Sequence, residues 1–283
     1  MKDPELVDVR GQRLRVAVRP GDPRRTPLLL CNGIGVGFEA FDAFVDALDP
    51  RIPVIRFDPP GAGGSPLPFT PYRLPGLARA LMELVNLLDY AQVDVLGISW
   101  GGALAQQIAF TGRSRCRRLV LVATGTGALM VPARPRVLVR LATPRRYRDP
   151  HYIRRVAPDL YGGTARTDPH LAARILHEQS QTGPAIGYLY QLLATAGWTS
   201  IPFLPFLRQP TLVLAGDDDP IIPLVNGYVL STLIPHARLH VYPGGHIELA
   251  AAPERLVPVI EEFLHGDSPA ALRPIRKKDD HDE

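Results

Sequence analysis

A chain of 283 residues, 46% of them hydrophobic, is the size of one large α/β domain and can bury a core without covalent staples. Its two cysteines, Cys31 and Cys116, are too few and too far apart for a disulfide framework and read as buried thiols of a cytoplasmic protein. The net charge is a modest +4, the first residues are charged, and no apolar run approaches the ~20 residues of a membrane span, so the chain is expected to lack a signal peptide and a transmembrane segment.

In chain order, residues 6–9 and 14–18 alternate apolar and polar about Arg10-Gly11-Gln12, the pattern of a hairpin. Leu28-Leu29-Leu30-Cys31 is a continuous apolar run, as in a buried parallel strand, and runs into Asn32-Gly33-Ile34-Gly35. The spacing of Phe41, Phe44, Val45 and Leu48 predicts a helix over 38–48. Residues 54–58 read as a strand, 59–66 as a loop, 74–88 as a helix, and 93–98 and 119–123 as strands. From 125 to 207 the chain shows helical patches and many prolines, with no clear strand. Strand–helix alternation resumes with strands at 211–215 and 238–242 and helices at 224–234 and 254–264. This alternation predicts a mainly parallel sheet with helices on both faces. The domain reading is a core of 1–124 and 208–266, a helical lid of 125–207 at the carboxyl edge, and a disordered, charge-rich tail of 267–283.

The segment 128–207 holds ten arginines against four acidic residues. No aromatic-interleaved motif accompanies them, so they read as a solvated face and no nucleic-acid partner is expected. His170 and His177 fall in the same segment at a spacing unsuited to a metal, and surface is the expectation for both.

The chemistry centres on Gly97-Ile98-Ser99-Trp100-Gly101. A G-x-S-x-G turn between a strand and a helix is a nucleophile elbow: the tight reversal lifts the serine hydroxyl clear of the backbone. A serine needs a base, and the base needs an acid to orient it. Asp217-Asp218-Asp219 and His246 both follow strands and so share a sheet edge with Ser99. Asp219 is the preferred acid, because Asp219-Pro220-Ile221-Ile222-Pro223 fits the loops of related folds; Asp218 is the alternative. The backbone N–H groups of Trp100 and Ile34 are the expected oxyanion donors. A dinucleotide reading of the glycine loop fails, since the glycines stand at 33, 35 and 37 with Phe at 38. No metal or organic cofactor is called for.

Together with Asp58-Pro59-Pro60-Gly61 and Gly245-His246, these motifs resemble the α/β-hydrolase superfamily over most of the chain. The runs Gly101-Gly102-Ala103-Leu104-Ala105-Gln106-Gln107, Pro144-Arg145-Arg146-Tyr147, Tyr161-Gly162-Gly163 and Gly197-Trp198-Thr199-Ser200 resemble the intracellular medium-chain-length poly(3-hydroxyalkanoate) depolymerases. That resemblance implies Ser99, Asp219 and His246 as a triad, an aliphatic polyester as substrate, and association with storage granules. Leu189, Tyr190, Leu192, Leu193, Trp198, Phe203 and Phe206 are candidates to grip the polyester side chain, or else ordinary helix packing. Glu248 puts a carboxylate where the acyl pocket is expected to be apolar. The alternatives are a small-molecule carboxylesterase, thioesterase or carbon–carbon bond hydrolase, and a catalytically silent granule scaffold.

Overall fold

The computed structural model describes residues 3–178 and 183–266; the tail read as disordered lies outside them. Eight strands form one sheet in the order β1-β2-β4-β3-β5-β6-β7-β8. They are β1 (Glu5–Val9), β2 (Gln12–Arg19), β3 (Leu28–Cys31), β4 (Val54–Phe57), β5 (Val93–Ile98), β6 (Cys116–Val122), β7 (Thr211–Gly216) and β8 (Ala237–Tyr242). The hairpin strand β2 pairs antiparallel with β1 and β4, and every other pairing is parallel.

The continuous apolar runs follow from burial on both faces. Alternate residues face opposite ways along a strand. Leu28, Leu30, Leu96 and Val120 therefore join one core, and Leu29, Cys31, Val95 and Leu121 join the other. Helices α1 (Asp42–Ala47), α2 (Leu74–Leu87) and α3 (Trp100–Thr111) follow β3, β4 and β5 in turn. α2 and α3 pack on the second core, α1 on the first. The helix expected over 38–48 is two pieces, a 3-10 turn at Phe38–Phe41 and then α1.

Between β6 and β7 lie α4 (Pro135–Leu141), α5 (Pro150–Tyr161), α6 (Thr164–Thr167), α7 (Pro169–Ala173) and α8 (Ala185–Thr195). Asp149 and Asp168 cap α5 and α7, each accepting a backbone N–H three residues on, with proline at the next position. One isolated antiparallel bridge, Gly127 to Thr199, closes the base of this segment. The remaining described helices are α9 (Val225–Leu233), α10 (Glu248–Ala251) and α11 (Val257–His265). The helix expected over 254–264 begins as a 3-10 turn, Pro253–Arg255, because Pro253 and Pro258 interrupt a single run of backbone bonds.

The order β4-β3-β5 reverses direction between β3 and β5. Such a reversal opens a crevice at the carboxyl ends of the strands. The loop after β3 and the turn after β5 both empty into it.

Candidate active site

Ser99 sits between β5 and α3 with φ 54° and ψ −116°, a backbone that non-glycine residues rarely adopt. Such a conformation costs about 1–3 kcal/mol and persists only where its surroundings hold it. Here the Ser99 N–H donates to Val122 O at 3.0 Å, and Ser99 O accepts from Thr124 Oγ1 at 2.7 Å and from the Gly102 N–H at 2.9 Å. The elbow glycines are required by close approach. A Cβ at Gly97 would lie 2.3 Å from Gly101 O, and one at Gly101 only 2.1 Å from Cys31 O.

His246 follows β8, and its N–H donates to Tyr161 O at 2.7 Å, which ties the histidine loop to the end of α5. Its Nε2 lies 3.0 Å from Ser99 Oγ and its Nδ1 2.8 Å from Asp219 Oδ2. A carboxylate at Nδ1 assigns the ring proton there and leaves the Nε2 lone pair for the serine hydroxyl. Asp219 Oδ1 accepts the N–H groups of Ile221 (2.8 Å) and Ile222 (2.9 Å), so the carboxylate is held from both sides.

The three adjacent aspartates divide their work. Asp217 Oδ1 accepts the Gly244 N–H at 3.0 Å. Asp218 turns away from the imidazole, pairing with Arg166 (Nε–Oδ2 2.6 Å, Nη2–Oδ1 2.8 Å) and accepting the Gly163 N–H. Arg166 holds the Asp218 carboxyl below its ordinary range. Of the three, Asp219 is the one in contact with His246.

Ile34 and Trp100 border Ser99 in one cavity. Trp100 opens α3, where the N–H has no intrahelical acceptor. Among the described residues no protein acceptor takes the Ile34 N–H. The Ile34 loop is clamped from above by two residues far along the chain. Tyr147 Oη donates to Ile34 O at 2.6 Å, and Gln191 Oε1 accepts the Gly35 N–H at 2.9 Å. Gln191 O also accepts the Trp100 indole N–H at 2.8 Å, so one buried glutamine touches both expected donor loops. From below, Asp58 accepts the N–H groups of Phe38 (2.9 Å) and Gly64 (2.8 Å) and pairs with Arg15.

The cavity measures about 360 Å³ and is walled mostly by apolar side chains, among them Val36, Ile98, Leu176, Leu192, Ile221, Ile247 and Leu249. Glu248 does not intrude on it. The Glu248 carboxylate is buried and points to α6, accepting the N–H groups of Thr164 and Gly245 and the Thr164 hydroxyl. It therefore braces the histidine loop, and the acyl wall stays apolar.

Of the seven apolar candidates in 189–206, Leu192 alone lines the cavity. Trp198 packs edge-on against Phe203, Phe203 stacks on Phe110, and Tyr190 packs on the second core. Leu189, Leu193 and Phe206 are exposed. A helix displays its residues on all sides, and composition does not say which side faces the cavity. The expectation of a wholly solvated arginine face fails at Arg146, which is 2% exposed and lines the cavity. Nor is His177 free surface: it is half-buried, with Nε2 2.9 Å from Arg146 O. Both cysteines are buried free thiols, and burial pushes both above the ordinary thiol value.

A serine hydroxyl, an imidazole and a carboxylate in hydrogen-bonded series, with backbone donors alongside, can carry out acyl transfer by a transient ester on serine. Residues 26–249 match the α/β-hydrolase fold family, and the chain belongs to it. Within that family it is 50% identical over 266 residues to a poly(3-hydroxyalkanoate) depolymerase of Ectopseudomonas oleovorans, covering 94% of each chain. It is 26% identical to 3-oxoadipate enol-lactonase 2 of Acinetobacter baylyi, over 86% of this chain and 90% of the other. A crystal structure of a hydrolase from Pseudomonas aeruginosa PA01 shares the fold, with TM-score 0.79, 24% identity, and 94% and 99% of the two chains covered. Among the described residues no helix is long and apolar enough to cross a membrane.

Proposed function

We propose that this protein is a serine hydrolase that cleaves the ester bonds of medium-chain-length poly(3-hydroxyalkanoate) through an acyl-enzyme. The observation that carries this reading is the series Ser99–His246–Asp219 opening onto an apolar cavity, in a chain that shares half its aligned residues with such a depolymerase. His246 takes the Ser99 proton as Ser99 attacks the ester carbonyl. The N–H groups of Ile34 and Trp100 receive the oxyanion. Asp219 holds the imidazole and stabilises its charged form. His246 then protonates the leaving alkoxide, and water repeats the sequence on the acyl-enzyme. The apolar walls take the aliphatic side chains. The chemistry calls on no metal or organic cofactor.

In this reading residues 125–207 act as a lid over the core of 1–124 and 208–266. The protein works inside the cell at a storage-granule surface. Support for the latter is the set of apolar side chains that the same segment exposes, including Leu129, Val139, Leu189 and Phe206.

The test is hydrolysis of a medium-chain polyester suspension beside short p-nitrophenyl esters, for wild type and Ser99→Ala, with fluorophosphonate labelling of Ser99. Both substrates are expected to be cleaved by wild type and neither by the variant. Cleavage of the soluble esters alone would leave a small-molecule esterase, thioesterase or carbon–carbon bond hydrolase. Granule binding without any hydrolysis would leave the silent scaffold.

A further inference from the structure

Arg146 is almost wholly buried, yet among the described residues no carboxylate lies within ion-pair distance of it. A buried guanidinium without a counter-ion is a heavy desolvation cost for a fold to carry. Two neutral partners offset part of it: Tyr188 Oη accepts from Nη2 at 3.0 Å, and Leu141 O lies 3.4 Å from Nη1. The rings of Tyr147 and Tyr188 also lie 4.5 and 5.4 Å from the guanidinium carbon. The Nε donor is buried without an acceptor in hydrogen-bond geometry, and so is the hydroxyl of Tyr161, which lies beside the guanidinium and interacts with it. Both residues line the same cavity as Ser99. They sit on the histidine side of it, since the Tyr161 ring lies nearly parallel to the His246 ring with centroids 6.4 Å apart.

We infer that Arg146, with Tyr161, receives the carboxylate of the hydroxy acid displaced when Ser99 is acylated. The inference rests on the hydrolase reading above and deepens it. A planar guanidinium with a free Nε and a neutral phenol beside it suits a carboxylate, whose two oxygens take parallel N–H and O–H donors. A tyrosine phenol is a neutral donor at neutral pH, and burial pushes that of Tyr161 further above its ordinary value. In hydrolysis the ester C–O bond breaks, the acyl carbon stays on Ser99 Oγ, and the alkoxide oxygen takes the proton from His246. The departing molecule is a 3-hydroxy acid. At the end of a polyester chain, its carboxylate is separated from the scissile oxygen by only two carbons. The occupant is therefore the free carboxylate terminus, and the enzyme releases terminal hydroxy acids from that end.

The experiment compares a soluble 3-hydroxyoctanoate dimer as free acid and as methyl ester, in wild type, Arg146→Gln and Arg146→Lys. Each protein supplies its own acid-to-ester ratio of kcat/KM, so a general loss of activity cancels. Wild type is expected to favour the acid by about tenfold or more, the worth of one charge-assisted pair. Arg146→Gln should bring the ratio to near one, and Arg146→Lys should fall between. A wild-type ratio near one overturns the inference even if neither variant folds. An Arg146→Gln protein that keeps the wild-type ratio overturns it in favour of a purely structural role. Thermal shift with 3-hydroxyoctanoate against its methyl ester reads the same contrast without turnover. Stabilisation by the acid in wild type and not in Arg146→Gln upholds the inference even if polyester proves not to be the substrate, and equal shifts overturn it.

Discussion

At the carboxyl edge of the sheet, Asp58, Asp219 and Glu248 are all buried, and each accepts two or more backbone N–H groups. In the helical segment above that edge the pattern is reversed: Arg146 Nε, Tyr161 Oη and Gln191 Nε2 are buried with no hydrogen-bond partner. These carboxylates at the edge are tied to backbone donors, and so hold the loops around Ser99 and His246 in one geometry. The helical segment leaves two such donors, on Arg146 and Tyr161, along the cavity. On the reading proposed above, the difference separates the machinery of the reaction from the selection of its substrate, and it can be broken or sharpened by substitution.

The largest effect belongs to the edge. Ser99→Ala is expected to lower kcat on p-nitrophenyl esters by roughly 10⁵–10⁶-fold without loss of folding, read by steady-state kinetics beside circular dichroism. Asp219→Asn should cost about 10⁴-fold. Asp218→Asn, which breaks a pair to the helical segment instead, should cost less than about tenfold. Equal losses at 218 and 219 would break the distinction between the two regions.

Asp58 gives a pH signature. Burial outweighs its N–H donors and Arg15, and pushes its carboxyl up to about 6. An unfolded aspartate titrates near about 4. Between those values the folded chain holds a proton that the unfolded chain has released, so stability falls as pH rises from about 4 through 6. The size is on the order of 2 kcal/mol. Urea denaturation at pH 4.5 and 7 measures it, and Asp58→Asn should flatten that part of the profile.

Gln191→Leu tests the seam between the regions. It frees the Gly35 N–H and loosens the Ile34 loop, for an expected loss of about tenfold in kcat with less change in KM. The smallest effect is a gain. Ser99→Gly relieves the positive φ and should raise stability by about 1 kcal/mol, while activity is lost.

Most of the edge is legible along the chain because its causes are local. A strand reads from a short apolar run, and the elbow reads from two glycines whose missing side chains make room within a few residues. The Asp219 loop is local too: the two N–H groups that hold the carboxylate come two and three residues later. What turns Asp218 away is Arg166, 52 residues distant. Periodicity located the helices approximately, and prolines decided where the pieces at 253–265 begin.

The sequence by itself thus determined the mainly parallel sheet, the alternation of its strands with helices, and the residues at their carboxyl ends, because each depends on hydrogen bonding and burial over short spans. Only the tertiary structure decided which helical side chains reach the cavity. Leu192 and Arg146 do, whereas Leu189 and Phe206 face outward. That choice depends on how short, proline-broken helices rotate against the sheet, and amphipathic patterns this brief leave the rotation to packing. The clamp of Tyr147 and Gln191 on the Ile34 loop spans 113 and 156 residues, so it exists only once the chain has closed on itself.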